Sequence, residues 1–97
     1  MKIRFHPEAR DDLREAKAFY RKRSPLAAVA FAQHIDGAIA RIREAPARYP
    51  MGERGTREHV LPSRFPYTVV YRLRDADVVI IAIAHHSREP GYWRDRR

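Results

Sequence analysis

The chain has no cysteine. Disulfides and thiolate-ligated metals are excluded, and nothing points to an oxidising compartment. No apolar run approaches the ~20 residues of a membrane span. The opening, MKIRFHPEARDD, lacks the apolar stretch of a signal peptide. These absences predict a soluble, cytoplasmic protein with no membrane attachment. Lysine is scarce: Lys2, Lys17 and Lys22 are the only three, so 17 of the 20 basic residues are arginine. Arginine suits bidentate contact with carboxylate or phosphate, although GC-rich codon usage produces the same bias. No phosphate-cradling G-x-x-x-x-G-K is present. Ser24, Ser63 and Ser87 lie in no context that marks an activated hydroxyl.

What is present is one domain's worth of chain, 97 residues with net charge +8. A single domain over residues 1–97 is expected. A surplus of this size attracts nucleic acid, acidic proteins or anionic membranes.

KIRFH alternates, with Ile3 and Phe5 on one side of a short strand. Pro7 suits the first turn of a helix. Ala9, Leu13, Ala16 and Tyr20 then repeat at spacings of four, three and four, with Phe19 alongside. Glu8, Asp11 and Asp12 near its start and Arg21, Lys22 and Arg23 near its end suit the helix dipole. Ser24-Pro25 reads as a new N-cap and first turn. Ala28, Phe31, Ile35, Ala38, Ile39 and Ile42 make a second helical stripe, which Pro46 ends. Two helices with almost no connector should form an antiparallel hairpin.

Residues 46–58 read as a loop, with two prolines, two glycines and no period. Three strands follow: HVLP, FPYTVVYRL and VVIIAIA, the last two joined by a turn at RDAD. FPYTVVYRL sets Phe65, Tyr67, Val69, Tyr71 and Leu73 on one face and Thr68, Val70 and Arg72 on the other. VVIIAIA reads as a central strand covered on both faces. The predicted class is α+β in the order β-α-α-β-β-β, a helical hairpin on one face of a small antiparallel sheet.

The hairpin covers one face only. The other, with Thr68, Val70 and Arg72, is expected to form a shallow basic concavity rimmed by the tail. His85 and His86 are candidate acid/base groups. Adjacent strand residues point to opposite faces, so the pair makes a poor metal site; the alternative is one capping histidine and one solvated. Arg64, Arg72 and Arg88 are candidate contacts to phosphate or an acidic partner, or ordinary surface arginines. Trp93 is expected to fold back and close the core. Tyr92 is a candidate phosphate-binding phenol. The terminal RDRR reads as a solvated tail.

Taken together, FHPEARDDLREAKAFYRKRSPLAAVAFAQHIDGAIARIREAPARYP, LPSRFPYTVVYRL and IAIAHHSREPGYWRDR resemble the RelE/ParE superfamily of toxins from bacterial type II toxin–antitoxin systems. The likeness covers nearly the full chain. It implies a helical hairpin on a small sheet, and a plasmid-stabilisation-type toxin neutralised by a cognate antitoxin, ParD-like or similar, in a hetero-oligomeric complex. RelE-like members cut mRNA on the ribosome without metal, using lysines, arginines and a C-terminal tyrosine. ParE-like members act on DNA gyrase. This chain has no lysine on its later strands, and Thr68 stands where ribonuclease members carry arginine. Its Pro90-Gly91-Tyr92-Trp93 ending resembles the ParE branch. The resemblance thus implies a gyrase inhibitor with no catalytic residue, no metal and no cofactor, and with Arg64, Arg72, His85, Arg88 and Tyr92 contacting antitoxin or target. The alternative, a metal-free endoribonuclease, would use Arg88, Tyr92, His85 and His86. A non-toxic RNA-binding module, stacking bases on Phe65, Tyr67 and Tyr71, is the further alternative; burial of those rings under the helices would exclude it.

Overall fold

The computed structural model describes residues 1–62 and 64–97; Ser63, one of the serines considered above, lies outside them. Three apolar elements drive the architecture. Helix α1 (Pro7–Arg23) and helix α2 (Pro25–Glu44) follow strand β1 (Ile3–Phe5). Strands β2 (Thr56–Val60), β3 (Tyr67–Arg74) and β4 (Asp77–His85) complete the chain's regular structure. The β-α-α-β-β-β order is as the sequence predicted.

The N-terminus of α1 is capped by His6, whose Nδ1 accepts from the Glu8 amide at 3.0 Å. One residue then makes the whole helix–helix connection. Ser24 is extended (φ −168°, ψ 131°), ends α1 by donating its amide to the Tyr20 carbonyl, and starts α2 by accepting from the Ala27 amide. Pro46 forces its predecessor Ala45 out of helical geometry, which ends α2.

The sheet order is β1-β4-β3-β2. Strands β2, β3 and β4 form the expected antiparallel meander. Strand β1, however, joins β4 in parallel, so the sheet is mixed rather than antiparallel. β4 is an apolar strand that needs neighbours on both edges, and the meander supplies only β3. The αα crossover returns the chain in the sense that makes β1 parallel, with His6 donating to the Ile80 carbonyl and Val78 to that of Lys2.

A second difference concerns β2, which begins at Thr56, inside the stretch read as loop. Its polar TRE holds a fully buried Thr56, whose hydroxyl donates to the Glu53 carbonyl at 2.6 Å. A tight turn just before it, with Arg54 and Gly55 at positive φ, reverses the chain. Arg57 also bridges to Met51. The RDAD turn is as expected, with Asp75 in the left-handed region that Asp tolerates.

The main core lies between hairpin and sheet. Tyr20 and Phe31 stack at 5.0 Å, and Phe65 meets both edge-on, at 5.1 and 5.4 Å. Phe65, Tyr67, Val69 and Tyr71 are all buried here, with Leu73 packed against them, as the period-two pattern required. No aromatic platform is left on the sheet, which excludes the base-stacking module. A bulge then shifts the register: Val70 faces Ala82 while Tyr71 faces Ile80. The extra residue lets β4 send Val78, Ile80 and Ile83 toward the helices and Ile81 and Ala82 to the opposite side.

Tyr71 also ties the loop after α2 to the sheet, since its phenol donates to the Pro46 carbonyl. Tyr71→Phe removes that bond inside the core and leaves the carbonyl without its donor. A loss of about 1 kcal/mol is expected in urea titration; unchanged stability would mean that the loop is held elsewhere.

Candidate functional site

The face opposite the helices is not the open basic concavity that alternation suggested. Val70, Ile81, Ala82 and Trp93 form a second, smaller core there, with Tyr92 and Ala84 packed against it. Trp93 is 6% exposed, so the tail does close the fold through this ring. The three buried residues that β3 and β4 present on this side, Val70, Ile81 and Ala82, are apolar surface that favours cover over solvent, and the tail supplies it.

The tail is fastened by a polar latch. Asp12 reaches from α1 to accept from the Ile83 amide (3.1 Å), the Tyr92 hydroxyl (3.1 Å) and both terminal nitrogens of Arg96 (2.6 and 3.2 Å). Arg96 also donates to the Ile81 carbonyl. The Arg96 and Asp12 side chains are only 9% and 7% exposed. The RDRR ending is therefore a pinned segment, not a solvated tail. Arg94 adds a surface pair with Glu53. Sequence reasoning assigned Asp12 to the helix dipole and missed this role. The signal was present: Asp12 lies three residues after Ala9 and four before Ala16, on the buried side of α1.

The latch orders the sequence-derived site residues. Tyr92 is clamped between two guanidiniums, Arg88 at 3.8 Å and Arg96 at 5.0 Å from its ring centroid. Burial first, then the charge and hydrogen bond of Asp12, push the Tyr92 phenol up to about 12. Its proton is committed to Asp12, so near neutral pH it is neither a base nor a free donor for phosphate. His85 stands edge-on to the Tyr67 ring at 4.9 Å, on the helix side, and its Nδ1 accepts from the Ser87 amide. His86 points the other way, its Nε2 lying 2.9 Å from the Thr68 hydroxyl. The two rings thus take opposite faces, as strand geometry required. Among the described residues no group of three or more His, Asp or Glu is arranged to hold a metal.

Two clefts share the segment from His85 to Arg88. One, about 260 Å³, lies between α1 and the end of β4, lined by Asp12, Glu15, Ala16, Phe19, Tyr67, Ile83, His85, Ser87 and Arg88. Phe19 is 47% exposed at its edge, with Arg23 stacked 4.6 Å over the ring. The other cleft, about 280 Å³, lies on the opposite face and includes Glu58, Thr68, His86 and the turn Glu89–Trp93, together with His85 and Arg88. The structure therefore brings His85, His86, Arg88 and Tyr92 together. It leaves Arg72 apart. That residue is five positions along β3 from the Tyr67 that pairs with His85, about 16 Å away at ~3.3 Å per residue. There it donates to the Arg54 carbonyl at 3.0 Å, which holds the turn before β2. Arg64 is exposed and packs over Phe65, outside both clefts.

The fold is one that known proteins share. A family model described as the ParE toxin of the type II toxin-antitoxin system, parDE, matches residues 3–90. Among solved structures, a chain of the chromosomal ParDE TA system from P. aeruginosa is similar in fold. The TM-score is 0.76 at 20% sequence identity, over 88% of this chain and 95% of that one. No curated protein matches the chain. Because the family match runs from β1 through the His85–Arg88 segment, the chain belongs to the ParE toxin family of type II toxin–antitoxin systems.

Proposed function

We propose that this ParE-family toxin inhibits DNA gyrase by docking, without bond-making chemistry of its own, and that a cognate ParD-like antitoxin neutralises it in the cytoplasm. The observation that carries this reading is the state of the polar groups around Arg88. The Tyr92 proton is committed to Asp12, and one ring nitrogen each of His85 and His86 is engaged within the chain. Among the described residues Arg88 has no carboxylate partner, and it rests on an aromatic ring. A cluster built this way offers a positioned cation beside apolar surface, and such a cluster suits recognition. Acid/base cleavage would fall to the remaining ring nitrogens of the two histidines, which face opposite sides of the sheet. The +8 charge favours an acidic partner, and the exposed Phe19 supplies an apolar anchor in the same cleft.

Expression without antitoxin, followed by pulse-labelling of DNA and protein synthesis over the first minutes, tests the target. DNA synthesis should stop first while translation continues. An early stop in translation would overturn the gyrase reading in favour of mRNA cleavage with Arg88 as a catalytic candidate. The docking surface is tested separately. Arg88→Glu should slow antitoxin association by about 10-fold at low salt, with the difference shrinking at high salt. Equal rates at low salt would move the interface away from this cleft.

A further inference from the structure

His59 has no role in the site described above, yet it is placed at some cost. It is 8% exposed on β2, and neither ring nitrogen has a hydrogen-bond partner among the described residues. A buried polar group without a partner is destabilising, and a charged one far more so, so the position favours the neutral ring.

Its surroundings add to this. The Tyr49 ring packs edge-on at 4.7 Å. From α2, Arg41 and His34 line the same small pocket, about 230 Å³. From the following loop, Arg48 faces it and turns its other side to Glu44 at 3.6 Å. On its own strand, Arg57 donates to the Tyr49 carbonyl, and Glu58 faces the opposite side of the sheet. No carboxylate among the described residues is placed to receive a proton's charge on this ring. Burial first, and then Arg41 and Arg48, hold its pKa below the ordinary 6.5.

β2 is an edge strand, and among the described residues it pairs with β3 and, by the single Met51–Arg57 bridge, with the loop before it. Two of its positions are buried: His59, opposite Val69 on the helix side, and Thr56, on the other face. We propose that His59 is an acid-sensitive release for β2: protonation of the ring detaches this strand and turns β3 into an open sheet edge, while the helical hairpin and the tail latch stay in place.

The sign follows from linkage. The released strand binds the proton with the ordinary affinity of a histidine, the docked strand more weakly. Docking is therefore at full strength above pH 6.5, weakens as pH falls below it, and levels off once the docked ring itself titrates. One proton per opening gives about a 10-fold rise in opening per pH unit within that window.

Amide hydrogen exchange on the wild-type chain, corrected for intrinsic rates, is the test. Between pH 7 and pH 5.5, protection of the Leu61 amide, which donates to the Tyr67 carbonyl, should fall, by at most about 10-fold, as should that of β2. Amides of α1 and α2 should hold. His59→Phe should abolish the pH dependence, and His34→Gln should leave it. If His59→Phe does not fold, NMR titration of the His59 ring in the wild-type chain decides, since a ring titrating at or above 6.5 overturns the proposal. So does β2 protection that is flat with pH, or a fall shared equally by the helices.

Discussion

Asp12→Ala should destabilise the chain by about 3 kcal/mol, toward the lower end of what breaking a buried ion pair costs. Arg96 would stay nine-tenths covered, with the largely exposed Glu8 carboxylate, 3.4 Å away, as its remaining partner among the described residues. The Ile83 amide and the Tyr92 hydroxyl would each lose an acceptor as well. The effect has a signature beyond its size. The C-terminal segment should detach before the sheet melts, because the latch is what fixes it. The chain's single tryptophan lies in that segment, so its emission should shift red in Asp12→Ala under conditions where far-UV circular dichroism is native. Pairing the change with Arg96→Met should restore part of the loss, since the uncompensated charge is then gone too. A stability within about 0.5 kcal/mol of wild type for Asp12→Ala would mean that the tail is held by packing alone.

The second large effect is on the apolar side of the same closure. Trp93→Ala should cost about 3–5 kcal/mol. The ring is 6% exposed and packs with Val70, Ile81 and Ala82, with Tyr92 beside it. Urea titration measures the loss. The uncovered strip should also bind a hydrophobic dye and promote self-association at concentrations where the wild type is monomeric. A melting curve that does not move would show the ring to be dispensable for the second core. Trp93→Phe should recover more than half of the loss, because volume is what the site requires.

Much of this molecule was legible in advance, for reasons that can be located. The two helices announced themselves through stripes that needed only local geometry, and Ser24-Pro25 marked the break between them. The buried face of β3 followed from strict alternation at Phe65, Tyr67, Val69 and Tyr71. The parallel placement of β1 was not legible, because pairing sense depends on where the crossover returns the chain. The start of β2 was hidden because its two buried positions, Thr56 and His59, are both polar and lie on opposite faces of the strand, so no apolar alternation marks it. In the site, His85, Arg88 and Tyr92 were recognised and do converge. Arg72, drawn in by its place within an apolar strand, and Arg64, by its place at the turn before β3, lie apart from that cluster. Asp12 and Arg96 were missed because their partnership spans the length of the chain. Sequence period reports which side of a helix is covered, but not which distant residue covers it.

The latch also sets an order of events at synthesis. The helical hairpin is local and can form as soon as residue 44 is made. β1 has nothing to pair with until β4 arrives, and Arg88 is not fixed until Arg96 meets Asp12. At 5–20 residues per second, a partly made chain therefore exists for seconds as a hairpin without a sheet and without a defined docking surface. The proposed docking surface around Arg88 is therefore among the last parts of the fold to be defined, after the helical hairpin and the sheet.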